Sequence, residues 1–461
     1  MLMAEIFDRF ANKAPVAVMA RASLEFALEP SGLDALFARC ADRQYERKLL
    51  FSTMVDLTAV VVCGVHPSVH AAYKALREQL PVSLTALYEK MGGVEVGTTE
   101  GLVAYSAQRL GPVIDSLGAV KPWLDGYRIR VLDGNHLAAT DHRLEVLRDT
   151  AAGPLPGQAL VVLEPERGLV AQMVGCEDGH AQERSLLGPI VAGAQANDMY
   201  LADRNFCVLA FLFAMACERK AFFGIRQHAN LPIDSAGTLR KCGRTETGVV
   251  YEQSITLRLN DRELRARRIV IKLDTPTRDG DTEMAIITNL PRIVDACTVA
   301  DLYRRRWTIE SFFARIERYL QSELSGLGYP RAALFGFGVA LAAANVFGVV
   351  SAAMEVAKRT KPEVAGMPLS DFAIVEESRT VNGGMEIILD DEAWRPFHTM
   401  PATQFAKRLL ALAENIDWRR YRKAVRGPKK PVTPRKRFKN KPHVSTARLL
   451  GAAKGAKSAQ G

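Results

Sequence analysis

The chain changes rhythm near Trp123. Before that point, "LDALFARCADRQYERKLLFSTMVDLTAVVVCGV" and "HPSVHAAYKALREQL" repeat apolar residues at three- and four-residue spacing, which predicts helices with few turns between them. After it, the period shortens to two. "YRIRVLDG" alternates and predicts a strand that ends in a turn. "QALVVLEPERGLVAQMVGC" predicts a hairpin turning at Glu164-Pro165-Glu166-Arg167-Gly168. "ERSLLGPIVAGAQA" then predicts a helix, "DMYLADRNF" a short strand, "FCVLAFLFAMACERK" a buried helix and "AFFGIRQH" another strand. That order implies an α/β domain with a mixed sheet.

A second strand-rich block follows. "GVVYEQSITLRLNDRELRARRIVIKL" predicts a hairpin turning at Asn260-Asp261, and "EMAIITNLP" adds a strand. Next comes "DLYRRRWTIESFFARIERYL", residues 301–320, with helical periodicity. At 100° per residue, Tyr303, Arg306, Glu310 and Glu317 share a stripe within about 60°. Leu302, Ile309, Phe313, Ile316 and Leu320 form an apolar stripe beside it. Ala332–Met354 carries no charge and is long enough to cross a bilayer. Its Ala and Gly content, with Asn345 and Ser351 inside, points to a helix buried in a core. One more amphipathic helix is expected near residues 402–415.

Charge changes the picture at the C-terminus. Residues 418–461 hold fifteen Lys or Arg and no Asp or Glu, so within a net charge of +10 the preceding residues carry −5. Such a tail fits a polyanion, and its prolines at 428, 431, 434 and 442 give no reason to expect regular structure. The seven cysteines form no C-x-x-C pair, which fits a reduced cytosol better than a disulfide framework or zinc site. The N-terminus lacks the long apolar run of a signal peptide, and no phosphate-loop motif is present, so no nucleotide cofactor is expected.

Three acids stand at telling places. Asp133 ends the strand "RIRVLDG", Asp203 ends "MYLADRNF", and Glu310 lies on the 301–320 helix. Converging carboxylates suit hard divalent cations, which can activate a nucleophile and steady the leaving oxygen of a phosphodiester. Read alone, each acid is also explained as a turn residue, a helix cap or a solvated helix charge. His136, Asp141 and His142 are weaker metal-binding candidates, Glu183 reads as a charge at a helix N-terminus, and Trp307 as a packed or rim residue.

Taken together, "YRRRWTIESFF" resembles the Tyr–x2–Arg–x3–Glu–x6–Lys signature of DDE transposases of the insertion sequence 4 group, with Tyr303, Arg306 and Glu310 on the motif. "VLDG" and "LADRNF" resemble that family's two aspartate motifs, and the resemblance spans roughly residues 125–355. The last signature position differs: Glu317 stands where the family has Lys, and Arg318 is the expected substitute cation. The resemblance implies a ribonuclease-H-like catalytic domain in which Asp133, Asp203 and Glu310 bind Mg²⁺ or Mn²⁺, as two ions. It also implies cleavage of DNA at transposon ends and strand transfer to target DNA by a homodimer, in a bacterial cytoplasm at the nucleoid. Expected DNA contacts are Tyr303, Arg304, Arg306, Arg315, Arg318, Lys429, Lys430, Arg435, Lys436 and Arg437.

The expected organisation is an all-α N-terminal region (1–122), a catalytic core (123–229 and 296–358), a β-rich insertion (230–295), a helical region (359–417) and a disordered basic tail (418–461). Two other readings stay open: a nuclease without strand transfer, and an inactive DNA-binding derivative.

Overall fold

The computed structural model describes residues 2–44, 48–277, 280–424 and 442–459. The N-terminal region folds as α1 (Leu2–Lys13), α2 (Pro15–Ala27), α3 (Pro30–Cys40), α4 (Phe51–Val62), α5 (Val69–Ala75), α6 (Leu84–Gly93) and α7 (Val96–Leu117). Ser68 and Ser83 cap α5 and α6 by accepting from backbone N–H groups three residues on.

Period-two patterning then produces β1 (Arg128–His136), β2 (Gly153–Leu155), β3 (Gln158–Glu164) and β4 (Leu169–Cys176). They are followed by α8 (Leu187–Gly193), β5 (Asp198–Ala202), α9 (Leu209–Phe213) and β6 (Phe222–Arg226). The apolar segment after β5 is not one α-helix, because α9 passes into a π-helical turn at Ala214–Glu218. The second strand-rich block forms β7 (Ser235–Ala236), β8 (Arg240–Thr245), β9 (Gly248–Leu259), β10 (Arg262–Leu273) and β11 (Glu283–Thr288). Asn260 takes a positive φ in the two-residue β9–β10 turn, a conformation that asparagine tolerates better than most residues.

Both blocks join one sheet in the order β4-β3-β1-β5-β6-β11-β10-β9-β7, with β8 paired to β9. Strand β3 runs antiparallel to both β1 and β4, while β5 runs parallel to β1 and β6 parallel to β5. One face of the sheet packs on the N-terminal helices and the long helix α12 (Pro330–Arg359). The other face packs on α8 and α9.

Helix α12 is the one described helix long and apolar enough to cross a membrane, and 89% of its most apolar window is buried within the protein. It packs against α2, α4, α6, α7 and β4. Gly348 explains the close approach: a Cβ there would come within 2.7 Å of the Gly168 carbonyl oxygen in the β3–β4 turn. Asn345 is fully buried yet satisfied. It accepts from Val170 N at 2.6 Å and donates to Val170 O and Ser106 Oγ at 3.0 and 2.9 Å.

Two expectations need correction. The 301–320 stretch is not a single helix. It forms α10 (Ala296–Arg304), a 3₁₀ turn at Arg305–Trp307, and α11 (Thr308–Tyr319). The buried apolar stripe includes Phe312, with Phe313 only half-buried. Nor is the basic tail disordered throughout. After α13 (Asp371–Ile388), α14 (Arg395–His398) and α15 (Ala402–Ala413), Trp418 and Tyr421 are buried. Beyond Pro442, β12 (His443–Ser445) pairs in parallel with β2, and α16 (Thr446–Ser458) follows. Pairing to β2 satisfies the backbone, and the Ser445 hydroxyl caps α16 by accepting from Arg448 N.

Candidate active site

Asp133 lies near the end of β1 beside β5. Leu132 sits opposite Ala202 in the parallel register, so the next residues on the two strands are Asp133 and Asp203. Strand alternation decides their direction. Ile129 and Val131 of β1, and Met199 and Leu201 of β5, face the core shared with Ile309, Phe312 and Ile316 of α11. Asp133 and Asp203 continue those alternations toward the side where α11 packs, and Glu310 lies in the first turn of α11.

Local hydrogen bonds hold the two aspartates. Asp133 Oδ1 accepts from Gly134 N at 3.0 Å, and Asp203 Oδ1 accepts from Asn205 N at 2.8 Å. Asp203 therefore caps the 3₁₀ turn Arg204–Phe206 while standing at the site.

Arg306 joins the remaining acid to the strand. Its Nη1 lies 3.2 Å from Asp133 Oδ2, and its Nη2 lies 2.8 Å from Glu310 Oε1. Arg306 is only 7% exposed, and its Nε is buried without a hydrogen-bond partner among the described residues. Burial pushes the Asp133 carboxyl up to about 6; Arg306 and the Gly134 N–H oppose the rise, while the charges of Asp203 and Glu310 add to it. The site thus concentrates negative charge beyond what its one buried arginine offsets.

Tyr303 is buried, and burial pushes its hydroxyl up to about 12 against the opposing influence of nearby Arg306. The other basic residues of this segment are spread over the surface. Arg304 is exposed and pairs with Glu246, and Arg305 stacks 3.7 Å from the Trp123 ring centroid. Arg315 lies 3.6 Å from Asp371, and Arg318 lies over the Tyr319 ring. Glu317 is exposed in the last turn of α11, and Trp307 is also exposed. Lys429, Lys430, Arg435, Lys436 and Arg437 lie outside the described residues.

Glu183 was not legible from the chain as part of this neighbourhood. It begins a 3₁₀ turn before α8, but its carboxylate folds against Gly134, where an added Cβ would meet Glu183 Oε1 at 1.8 Å. Asn205 Nδ2 donates to Glu183 Oε2, and Arg184 Nε donates to the Asn205 carbonyl at 2.7 Å. Glu183 thus supports the loop that carries Asp203, from the face of β1 opposite Asp133. Only the small residue after Asp133 hinted at such an approach.

The carboxylates suit a hard divalent cation by donor type, and an ion there would offset the desolvation of the Asp133 carboxylate and the charges of Asp203 and Glu310 beside it. In this arrangement Arg306 spans two of the three. Among the described residues, no three acidic, histidine or cysteine side chains are close enough together to hold a metal ion. The His136, Asp141 and His142 group makes no such site either. His142 Nε2 lies 3.0 Å from the Ala152 carbonyl, and Asp141 lies 3.4 Å from Arg143.

Residues 125–345 match the family described as Transposase DDE domain. A relative described as "Probable transposase for insertion sequence element IS5377", from Geobacillus stearothermophilus, is 30% identical over 163 residues. The match covers 35% of this chain and spans 40% of that relative's length. Among solved structures, the cryo-EM structure of a piggyBac transposase synaptic complex with hairpin DNA is 8% identical, with a TM-score of 0.38. That comparison covers 93% of this chain and 90% of the other.

Proposed function

We propose that the protein is a transposase that cleaves DNA at transposon ends and transfers the freed strand to target DNA. The observation that carries this reading is Arg306, buried between Asp133 and Glu310, beside a strand register that sets Asp203 next to Asp133. The order β4-β3-β1-β5-β6, antiparallel on one side of β1 and parallel on the other, supports a ribonuclease-H-like core. The Tyr303, Arg306 and Glu310 spacing supports the insertion sequence 4 group.

Asp133, Asp203 and Glu310 would hold Mg²⁺ or Mn²⁺, as one ion or two. Bound there, a divalent cation supplies Lewis-acid stabilisation of the attacking and leaving oxygens of a phosphodiester. The protein's own residues do the rest. Gly134 N and Asn205 N fix the two aspartates, and the packing of Ile309 and Phe312 fixes Glu310 at the rim. Arg306, released from one of its carboxylates, is placed to meet the phosphate. Arg318 takes the part of the signature lysine at the DNA backbone, and a second copy of the chain would hold the other end. The basic tail adds salt-sensitive phosphate contacts.

The test is nicking of a duplex carrying the inverted repeats that flank the gene. Asp133→Ala, Asp203→Ala and Glu310→Ala should each abolish nicking while binding persists. Full cleavage by any one of them overturns that residue's assignment. Cleavage without joining of pre-cut ends would replace the transposase reading with a nuclease.

A further inference from the structure

A cleft of about 810 Å³ opens beyond the catalytic strand. The two chain segments that leave the site form its walls. One follows β1, from Leu137 through Arg143, and the other follows α11, from Glu323 through Ser325. Ala138 N donates to Glu323 Oε2 at 2.8 Å and ties the walls together.

The chemistry of the lining is specific. Thr140 is only 4% exposed, yet its Oγ1 has no hydrogen-bond partner among the described residues. A buried hydroxyl left unpaired beside a cleft calls for a polar ligand. Arg143 and Arg148 are exposed at the same cleft, and Arg148 has no ion-pair partner among the described residues. One hydroxyl donor and two guanidinium groups suit phosphate oxygens.

The C-terminal segment supports this wall. Helix α16 packs on the 3₁₀ turn Glu145–Leu147, between the two arginines, and β12 pairs with β2 just after the cleft residue Ala151. Ser445 Oγ donates to Asp178 Oδ1 at 2.5 Å, and Arg448 Nε donates to Asp178 Oδ2 at 2.8 Å. No acid occurs in α16, and its Lys454 and Lys457 are exposed.

We infer that this cleft is a DNA-backbone subsite for the strand that runs on from the catalytic carboxylates, with its wall braced by the C-terminal segment. This rests on the reading that DNA reaches Asp133. Leu137 lies four residues beyond Asp133, about 13 Å of extended chain at ~3.3 Å per residue. That reach corresponds to about four steps of a duplex at ~3.4 Å per phosphate along the axis. Arg143 and Arg148 bind phosphates there, and the Thr140 hydroxyl donates to a phosphate oxygen.

The test uses the full chain in EDTA with a fluorescein-labelled random-sequence duplex, titrated across salt concentrations by anisotropy. Arg148→Ala should make the slope of log affinity against log salt shallower by about 1, and Arg143→Ala/Arg148→Ala by about 2. Thr140→Val should weaken binding without changing the slope. Arg262→Ala, in the β9–β10 hairpin, should leave both unchanged. A double variant with the wild-type slope, or an equal loss in Arg262→Ala, overturns the subsite. Because the readout needs no metal or cleavage, its failure is distinct from that of the transposase reading. Inactive wild-type protein with the expected slopes would sink only the catalytic assignment.

Discussion

Asn345 and Arg306 are both buried polar residues, and they are treated differently. Asn345 sits in the middle of α12 with its amide bonded on both sides, tying that helix to β4 and α7. Arg306 sits where the 3₁₀ turn meets β1, shared between two carboxylates with one nitrogen unpaired among the described residues. A buried polar group with every bond made specifies how elements dock. A buried charge left partly unsatisfied, among acids that repel one another, marks a place arranged for a partner. The difference separates architecture from chemistry within one core.

The largest expected effect falls on the Arg306 side. Glu310→Gln should lower nicking by at least about a thousandfold, with DNA affinity in EDTA nearly unchanged. Asn345→Leu should leave nicking per folded molecule intact. It should nonetheless cost about 3 to 5 kcal/mol by urea denaturation, since both Val170 backbone groups lose their partner. Intact stability in that variant would remove the architectural reading of Asn345.

A smaller effect has the opposite sign. The Asp133 carboxyl titrates at about 6 in the folded protein against an ordinary value of 3.8, so the native state binds a proton more tightly than the unfolded chain. The stability contributed by this protonation is present below pH ~4 and is lost as pH rises through about 6. Asp133→Asn in EDTA should therefore raise stability by about 2 to 3 kcal/mol at pH 7.5 and by little at pH 4. Equal shifts at both pH values would show that charge burial is not the cause. The smallest effect is at the C-terminus. Asp178→Ala should speed hydrogen exchange at β12 about fivefold while leaving the melting temperature in place.

Much of the site was legible in the chain. Alternation in "DMYLADRNF" placed Asp203 at a strand end and that in "RIRVLDG" placed Asp133 on a strand, though β1 runs on past the expected turn to His136; apolar spacing placed Glu310 at the edge of a buried stripe. Other parts were not legible. The straight-helix projection put Tyr303 and Arg306 at the rim, but the 3₁₀ turn changes the winding between α10 and α11, and both side chains are buried. Glu183 read as a helix charge because nothing local links it to Gly134, 49 positions earlier. The tail's composition suggested disorder, yet its end finds a strand partner in Gly153–Leu155.

The sequence by itself determined most of the strands and helices between Arg128 and Arg359, and on which of them the three carboxylates fall, because side-chain periodicity is a local property. Only the tertiary structure decided that Arg306 would lie between Asp133 and Glu310, that Glu183 would brace the Asp203 loop, and that β12 would close beside β2. Those outcomes depend on groups far apart in the chain competing for the same partners, and burial strengthens the electrostatic terms that settle the competition.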